Sequence, residues 1–287
     1  MDAPRTCYRH PDRETGLSCS ECGRPICYEC MTPAPVGLRC PDHSGKPQGV
    51  RKVTRAASRT AAGYGARRLN AVTVVLISLN VGVAFAELAL NGAFSGNWIF
   101  DHGFLIGNGC CIDGHAVGIT HHEWWRMVTS MFLHGGYLHL ALNMYSLYYV
   151  GSILEIQIGR WQFLLLYLGS GMAGSAGALL WSPYVPTLGA SGAIFGILGA
   201  LFILERRGSI STGGQIAGLI VLNLVFTFAL SSYISVGAHV GGLIGGVVLM
   251  WLFHRLQRTQ SLYAVGATAA VIAASVVIAY AKARNLQ

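Results

Sequence analysis

From residue 70 onward the chain alternates between long apolar runs and short polar breaks, whereas the residues before 70 contain no comparable apolar run. A helix needs about 20 mostly apolar residues to cross the hydrocarbon core of a bilayer. Seven runs are candidate spans, of which the fourth to the sixth are short: 70–91, 136–157, 161–181, 190–206, 215–232, 236–254 and 262–281. The pattern therefore predicts an all-α polytopic membrane protein preceded by a small polar module.

Composition supports this division and adds a basic linker. The chain is 53% hydrophobic and only 11% charged, whereas ordinary soluble domains carry roughly a quarter charged residues. Most of the net charge of +8 lies in residues 46–68, which contain no acid. The cations there are Lys46, Arg51, Lys52, Arg55, Arg59, Arg67 and Arg68. Such a stretch before an apolar run is typical of a cytoplasmic segment that contacts anionic lipid, so we expect membrane lipid and no nucleic acid as its partner.

The charges of the later loops predict the orientation of the spans. With the basic stretch inside, Arg160 and Arg206 fall on inner loops and the long segment 92–135 lies outside. Lys282 and Arg284 would end outside, but such late charges carry less weight in the positive-inside rule. The polar, Cys-rich N-terminus does not resemble a cleavable signal peptide. We therefore expect a multi-pass protein of the cell membrane with a cytoplasmic N-terminus.

Four polar residues lie at the outer ends of three different spans. His139 and Asn143 lie in the second span, Ser191 begins the fourth, and His239 lies one turn into the sixth. Strongly polar residues inside a membrane are costly and mark functional sites by default. Because the four share one predicted depth, we expect them to form a single site that faces the outer side.

Ser191 lies in the motif GASG at 189–192. At a helix start the free N–H groups favour negative charge, which suits a nucleophile whose intermediate carries an oxyanion. The alternative is a serine that only caps its helix. After Glu123 the acids are Glu155 and Glu205, both at predicted cytoplasmic ends, so a Ser–His dyad with His239 as base is the simplest chemistry.

His239 begins the motif HVGGLIGG, whose glycines form a row of small residues at Gly241 and Gly245. Such rows let two helices approach closely. The fourth span has its own row at Gly192, Gly196 and Gly199. If the two rows face each other, Ser191 and His239 come within hydrogen-bond reach; a packing role alone would explain the glycines but not the histidine.

His139 and Asn143 are spaced i, i+4 and share one helix face. Both can donate hydrogen bonds, so we expect them to help the backbone N–H of Ser191 hold an oxyanion. The alternative is a polar contact that only joins helices within the bundle.

The first 45 residues contain four pairs of Cys or His, each with two residues between its members. The pairs are Cys7 with His10, Cys19 with Cys22, Cys27 with Cys30, and Cys40 with His43. Eight ligands are the number that two tetrahedral zinc sites need. A disulfide framework is the alternative, but the cytoplasm is reducing and disulfides would leave the two histidines unexplained. We expect two structural Zn²⁺ ions that supply much of the module's folding free energy.

Taken together, the motifs of the apolar region resemble those of rhomboid intramembrane serine proteases. The matching pieces are Trp125-Arg126, FLHGGYLHLALN at 132–143, Gly151 with Glu155 and Gly159, GASG at 189–192, and AHVGGLIGG at 238–246. The resemblance covers about residues 70–258 and implies a six-helix core with a cavity open to the extracytoplasmic side. We then expect residues 259–287 to form an extra transmembrane helix and a C-terminal tail.

The resemblance implies a serine endopeptidase that cleaves transmembrane protein substrates near the extracytoplasmic membrane face. It implies Ser191 as nucleophile, His239 as general base, and His139, Asn143 and the Ser191 N–H as the oxyanion hole. It also implies that Phe195 packs against the base and that catalysis needs no cofactor. The alternatives are an inactive relative that binds membrane clients, and a transporter, since broken glycine-rich helices also occur there.

Residues 1–45 resemble a B-box-type zinc finger, and 46–69 follow as the basic linker. The resemblance implies interleaved ligands. One ion takes Cys7, His10, Cys27 and Cys30, and the other takes Cys19, Cys22, Cys40 and His43. We expect the module to bind a cytoplasmic protein partner or to regulate the enzyme. A metal site in the outer loop, around Cys110, Cys111 and four histidines, is less well supported because no ligand pair there has a firm spacing.

Overall fold

The computed structural model describes residues 5–34, 36–44, 70–112, 114–256 and 261–286. It divides the chain into two compact units, Met1–Leu69 and Asn70–Gln287. The basic linker predicted at 46–69 lies outside the described residues.

The first unit contains short elements around a small buried cluster. Strand β1 (Thr6–Cys7) pairs antiparallel with β2 (His10–Glu14), β3 (Thr32–Pro33) pairs with β4 (Leu38–Arg39), and α1 spans Pro41–Ser44. The buried cluster consists of Cys7, Cys19, Ile26, Cys27, Cys30 and Cys40. Cysteine side chains, rather than aliphatic ones, therefore make up most of its core.

The second unit is helical, and each predicted span coincides with a helical segment. Its helices are α2 (Ala71–Asn91), α3 (Trp98–Gly103), α4 (Arg126–Thr129), α5 (Tyr137–Ser146), α6 (Ser152–Ile158), α7 (Arg160–Trp181), α8 (Ser191–Arg206), α9 (Gln215–Ala229), α10 (Val236–Leu256) and α11 (Ser261–Arg284). Among the described residues, α2, α7, α10 and α11 are long and apolar enough to cross a membrane, and α9 is a shorter apolar helix. The architecture is that of a polytopic all-α membrane protein, while seven crossings stay a prediction.

The second predicted span is not one regular helix. Helix α5 passes into a single wide turn at Leu147–Gly151, where the backbone bonds i to i+5, before α6 continues the same path. Such π turns insert one extra residue into a helix and often occur at functional sites. Here the turn lies directly after the α5 residues that carry His139 and Asn143.

Helices α8 and α10 pack with their backbones in contact. A Cβ added at Gly242 would lie 1.9 Å from the carbonyl oxygen of Gly192, and one at Gly246 would lie 2.0 Å from that of Gly196. Only glycine permits such an approach. The row predicted on the fourth span does face α10 at this interface.

The predicted partner row on α10 is wrong by one residue. An added Cβ at Gly241 would meet the carbonyl oxygen of Ala173 at 2.5 Å, and one at Gly245 would meet the Ala173 Cβ at 2.6 Å. Because Ala173 belongs to α7, Gly241 and Gly245 pack against that helix. Helix α10 thus has two glycine rows, and α8 and α7 pack against different ones.

Two carboxylates fix the starts of helices. Glu155 accepts hydrogen bonds from the N–H groups of Val72 (3.0 Å) and Thr73 (2.8 Å) at the start of α2. Glu205 accepts one from the N–H of Gly214 (2.8 Å) just before α9. Carboxylates at helix N-termini accept hydrogen bonds from free N–H groups and interact favourably with the positive end of the helix dipole. The last two acids of the chain are therefore engaged at helix ends.

The segment 92–135 is ordered around a buried arginine. It contains α3, a hairpin of β5 (Gly109–Ile112) and β6 (His115–Val117), and α4. Arg126 is fully buried and donates to the Glu123 carboxylate (2.7 Å) and to the carbonyls of Asp101 (2.9 Å) and Phe104 (3.0 Å). One side chain thus joins the end of α3 to the segment that leads into α4.

The extra helix α11 packs beside α7 and ends against this loop. The amide of Asn108 donates to the carbonyl of Leu286 at 3.3 Å, and the rings of Trp124 and Tyr280 lie 6.2 Å apart. The end of α11 therefore lies beside the segment 92–135.

Candidate active site and metal-binding clusters

Ser191 and His239 meet where α8 and α10 begin. Helix α8 starts at Ser191, and its N-cap position is held by Ala190 without a side-chain capping bond. The Ser191 Oγ instead lies 2.8 Å from the Nε2 of His239. The alternative in which Ser191 only caps its helix is therefore wrong, because its hydroxyl contacts the histidine.

His239 is buried, with 7% of its surface exposed, and is held on three sides. Its Nε2 contacts Ser191, and its Nδ1 lies 2.7 Å from the Oγ1 of Thr227. The ring of Phe195 stacks on the imidazole, with centroids 4.1 Å apart and planes inclined by 21°. Helices α8, α9 and α10 together fix the ring, and Phe195 lies where the resemblance implies an aromatic contact.

His139 and Asn143 lie beside the turn that leads to Ser191. An added Cβ at Gly189 would be 2.9 Å from the Nε2 of His139 and 3.8 Å from the Nδ2 of Asn143, and Gly189 has φ +118°. Only glycine fits this turn, because a side chain would be strained and would displace His139. The two side chains therefore lie close to the backbone two residues before the serine.

Both side chains can present donors there. The N–H of Gly135 donates to the Nδ1 of His139 (3.3 Å), so the remaining proton of the neutral ring belongs on Nε2. Asn143 donates to the carbonyl of His139 (3.1 Å), which leaves a second amide N–H for another acceptor. The backbone N–H of Ser191, at the first position of α8, also has no acceptor within its own helix.

The sequence interpretation missed Thr227. Its side chain is 1% exposed, and its hydroxyl is the group that contacts the second nitrogen of His239. One signal could have indicated it, since Asn223 and Thr227 are spaced i, i+4 in the otherwise apolar run of α9. Polar residues at such positions usually face the interior of a bundle.

The eight Cys and His side chains of the first unit form two groups of four. One contains Cys7, His10, Cys27 and Cys30, and the other contains Cys19, Cys22, Cys40 and His43. Within each group the ligand atoms all lie within 4.8 Å of one another. These are the two interleaved sets that the resemblance to a B-box implies, and each could hold a metal ion.

The separations within each group fit a tetrahedral zinc ion. Zn–S and Zn–N bonds of about 2.3 and 2.0 Å place neighbouring ligand atoms about 3.5–3.8 Å apart. The Nδ1 of His10 lies 3.4 Å from the Sγ of Cys27 and 3.3 Å from that of Cys30. The Nδ1 of His43 lies 3.1 and 3.9 Å from the sulfurs of Cys40 and Cys19. The six cysteines of the first unit form no disulfides.

The thiols of the first group differ in acidity. Burial raises the pKa of Cys7, but hydrogen bonds from the backbone N–H groups of Arg9 and Cys27 lower it, and the result is about 6. Burial and the neighbouring sulfurs of Cys27 and Cys7 raise the pKa of Cys30 to about 12. One thiolate thus forms readily while the next is opposed by its neighbours, and a divalent cation would relieve that repulsion.

The described side chains of the segment 92–135 form no cluster comparable to those of the first unit. Among the side chains that the structure describes, none of the loop histidines joins a group of three ligands. The side chains of Cys110 and Cys111 lie outside that description.

The described residues define a class of protein: a polytopic all-α membrane protein whose helices bring a half-buried serine to a buried histidine. The chain belongs to the rhomboid family, whose rhomboid domain model matches residues 121–256. It is 38% identical over 147 residues to the putative rhomboid protease YdcA of Bacillus subtilis (strain 168). The aligned residues cover 49% of this chain and 73% of that protein.

Two further relatives mark the range of the family. Rhomboid protease GluP of Bacillus subtilis (strain 168) is 46% identical over 132 residues, which are 45% of this chain but only 26% of that protein. Inactive RHOMBOID-like protein 8 of Arabidopsis thaliana is 32% identical over 127 residues, which cover 43% of this chain and 36% of that protein. The family therefore includes proteins named as proteases and proteins named as inactive.

Proposed function

We propose that this protein is an intramembrane serine endopeptidase that cleaves transmembrane protein substrates near the extracytoplasmic membrane face by a Ser191–His239 dyad. The observation that carries the proposal is the 2.8 Å contact between the Ser191 Oγ and the His239 Nε2. An inactive relative has no need of a serine hydroxyl aligned with a buried histidine. A transporter has none either, and its binding site tends to the bilayer midplane.

In the proposed reaction the hydroxyl proton of Ser191 passes to the Nε2 of His239 while the oxygen attacks the carbonyl carbon of the scissile peptide bond. The resulting oxyanion accepts hydrogen bonds from the Ser191 N–H, the His139 Nε2–H and the Asn143 amide. His239 then gives its proton to the leaving amine as the C–N bond breaks. Water then attacks the acyl carbon while His239 takes its proton, and the ester C–O bond breaks as His239 gives the proton back to the Ser191 Oγ.

The two carboxylates engaged at helix starts support a dyad rather than a triad. Glu155 bonds the start of α2 and Glu205 the turn before α9, so neither is free to orient His239. No cofactor is needed for this chemistry. We expect the substrate to be a single-span protein whose helix unwinds easily near its outer end.

The test is cleavage of a model transmembrane substrate by the purified protein in liposomes. Ser191→Ala should reduce cleavage to the uncatalysed background and abolish labelling by a serine-directed fluorophosphonate. His239→Ala should abolish labelling as well, because the hydroxyl then lacks its base. Ser209→Ala, in the turn after α8, is the matched control and should cleave like the native protein. Native protein that neither cleaves nor labels would favour the inactive, client-binding alternative.

We further propose that the first unit holds two Zn²⁺ ions, lies in the cytoplasm and binds a protein partner or regulates the protease. The ligand separations and the absence of disulfides among the described cysteines support metal binding. The proposed topology places the N-terminus inside, the site outside and the protein in the cell membrane. Fusion of a reporter that is active only in the cytoplasm to the N-terminus tests this orientation.

A further inference from the structure

Helix α9 contacts the site through a single polar side chain. Within α9 the buried residues are Ile216 and Thr227, whereas Val221, Val225 and Phe226 expose more than half of their surface. In a membrane protein such apolar side chains face lipid. One of the two positions that α9 buries is therefore occupied by a hydroxyl directed at His239.

The hydrogen bonds of Thr227 assign the proton of the histidine. The Thr227 hydroxyl donates to the carbonyl of Asn223 at 2.7 Å, one turn back in α9. A hydroxyl has one proton, so its contact of 2.7 Å with the Nδ1 of His239 must have the imidazole as donor. The neutral ring then has its proton on Nδ1, and its lone pair on Nε2 faces the hydroxyl of Ser191.

This tautomer is the one that a general base needs. With the proton on Nε2, His239 could not accept the proton of Ser191. During attack the ring becomes an imidazolium, and its Nδ1–H bond to Thr227 becomes charge-assisted and stronger. The contact therefore stabilises the transition state more than the ground state, which is the condition for an effect on kcat.

We propose that Thr227 is a positioning residue that holds His239 in its base tautomer and orientation, the task that a carboxylate performs in a Ser–His–Asp triad. The proposal rests on the proposed protease function. This positioning role differs from a purely structural role, in which the Thr227 hydroxyl would only join α9 to α10. A structural contact would affect stability but would not favour the transition state over bound substrate.

The test is Thr227→Val, which keeps the shape of the side chain and removes the acceptor. We expect kcat to fall by about tenfold to a hundredfold, as for the loss of one hydrogen bond to a charged group, with KM within about twofold of the native value. Thr227→Ser retains the hydroxyl and should restore most of kcat. A native kcat in Thr227→Val, or no rescue by serine, would overturn the proposal.

Thr268→Val is the matched control. Thr268 is also buried (2% exposed) and donates to the carbonyl one turn back, Ala264, at 2.8 Å, but it lies on α11. The same loss of a back-bonded hydroxyl should leave kcat unchanged there. A similar fall in kcat in both variants would assign the effect to general destabilisation and not to the base.

A measurement without substrate separates this proposal from the proposed function. The ¹⁵N chemical shifts of His239, identified by the signals that vanish in His239→Ala, report the tautomer in the detergent-solubilised protein. We expect the Nδ1–H form in native protein and in Thr227→Ser, and a mixture in Thr227→Val. A protein that shows this pattern but does not cleave would contradict the protease function alone, and an Nε2–H form in native protein would contradict the role of Thr227.

Discussion

The two units of this chain differ in where their reactive side chains lie. In the first unit they form the core, whereas in the second they lie beside it. In the first unit the buried cluster is five cysteines and Ile26, and all five belong to the candidate metal ligands. In the second unit the core is built from apolar side chains such as Phe163, Leu166 and Ile197, and the candidate nucleophile and base lie beside it. Loss of the reactive groups should therefore unfold the first unit but only inactivate the second.

Metal removal should give the largest difference between the units. A structural zinc ion contributes about 10–16 kcal/mol of apparent binding free energy to small domains, and the first unit has little other core. We expect a strong chelator to expose its cysteines to alkylation and its chain to proteases. Thermal unfolding of the second unit in detergent should not change. Metal analysis of the native protein should give two zinc ions per chain.

The control for this experiment is a background in which Cys110 and Cys111 are replaced by serine. Every remaining cysteine then belongs to the first unit, so alkylation measures that unit alone. Within this background Cys27→Ser should reproduce the effect of the chelator. Cysteines that stay protected after the metal has been removed would show that the unit folds without it.

The second prediction concerns Arg126, the buried arginine of the segment 92–135. Glu123→Gln removes the charge opposite Arg126, which is fully buried, and leaves an uncompensated cation. Breaking a buried ion pair from one side costs about 3–5 kcal/mol. Unfolding in detergent measures the loss. Asp101→Asn is the control, since Arg126 contacts the backbone carbonyl of Asp101, and it should be close to native.

The same carboxylate predicts a dependence of stability on pH. Burial raises the pKa of Glu123, but the hydrogen bond from Arg126 and the N–H of Gly118 lower it more, so the folded-state pKa lies below the ordinary value of 4.5. A lowered carboxyl pKa contributes stability that is complete above the unfolded pKa and is lost as the pH falls through the folded one. Glu123→Gln should remove this acid-sensitive part, and an unchanged acid profile would contradict the assignment.

The sequence predicted the positions of the helices and marked Ser191 and His239 as candidate site residues, because these depend on local patterns. Their meeting was predicted only on the condition that two glycine rows face each other, and one of those rows faces α7 instead. Apolar runs mark helices directly, and a costly polar residue at a span end indicates a site wherever the helix is placed. The four pairs of candidate metal ligands were likewise recognised from a local pattern, the two residues that separate the members of each pair. The division of the eight ligands into two sets came from a resemblance, since spacing alone permits other pairings.

The sequence could not predict contacts that depend on which helices are neighbours. Helix α10 contains five glycines in two rows at helical spacing, one of Gly237, Gly241 and Gly245 and the other of Gly242 and Gly246. Periodicity does not say which row faces α8 and which faces α7. A threonine in an apolar helix is equally ambiguous, because its hydroxyl can bond its own helix and nothing else, as Thr268 does among the contacts described. Thr227 differs from Thr268 only because the fold brings the Nδ1 of His239 within reach of its hydroxyl.

The third prediction, with the smallest effect on stability, tests whether the second unit depends on backbone contact. Gly242→Ala would place a Cβ 1.9 Å from the carbonyl oxygen of Gly192, and a backbone atom cannot move aside as a side chain can. Overpacking of this kind costs typically about 1–3 kcal/mol. Because α8 and α10 must separate to admit the new Cβ, Ser191 should also move away from His239. We expect a larger proportional loss of fluorophosphonate labelling than of folded protein.

Gly266→Ala makes the same change in α11, where an added Cβ would meet no atom within 4 Å. An alanine in an open helical position is favoured over glycine by about 0.5–1 kcal/mol, so this variant should be more stable than the native protein and should label normally. Opposite signs for the two substitutions would show that contact at the α8–α10 interface, and not glycine content, holds the site together. Equal stabilisation by both substitutions would mean that α8 and α10 can separate without cost. Side-chain contacts such as that of Thr227, and not backbone contact, would then hold the site together.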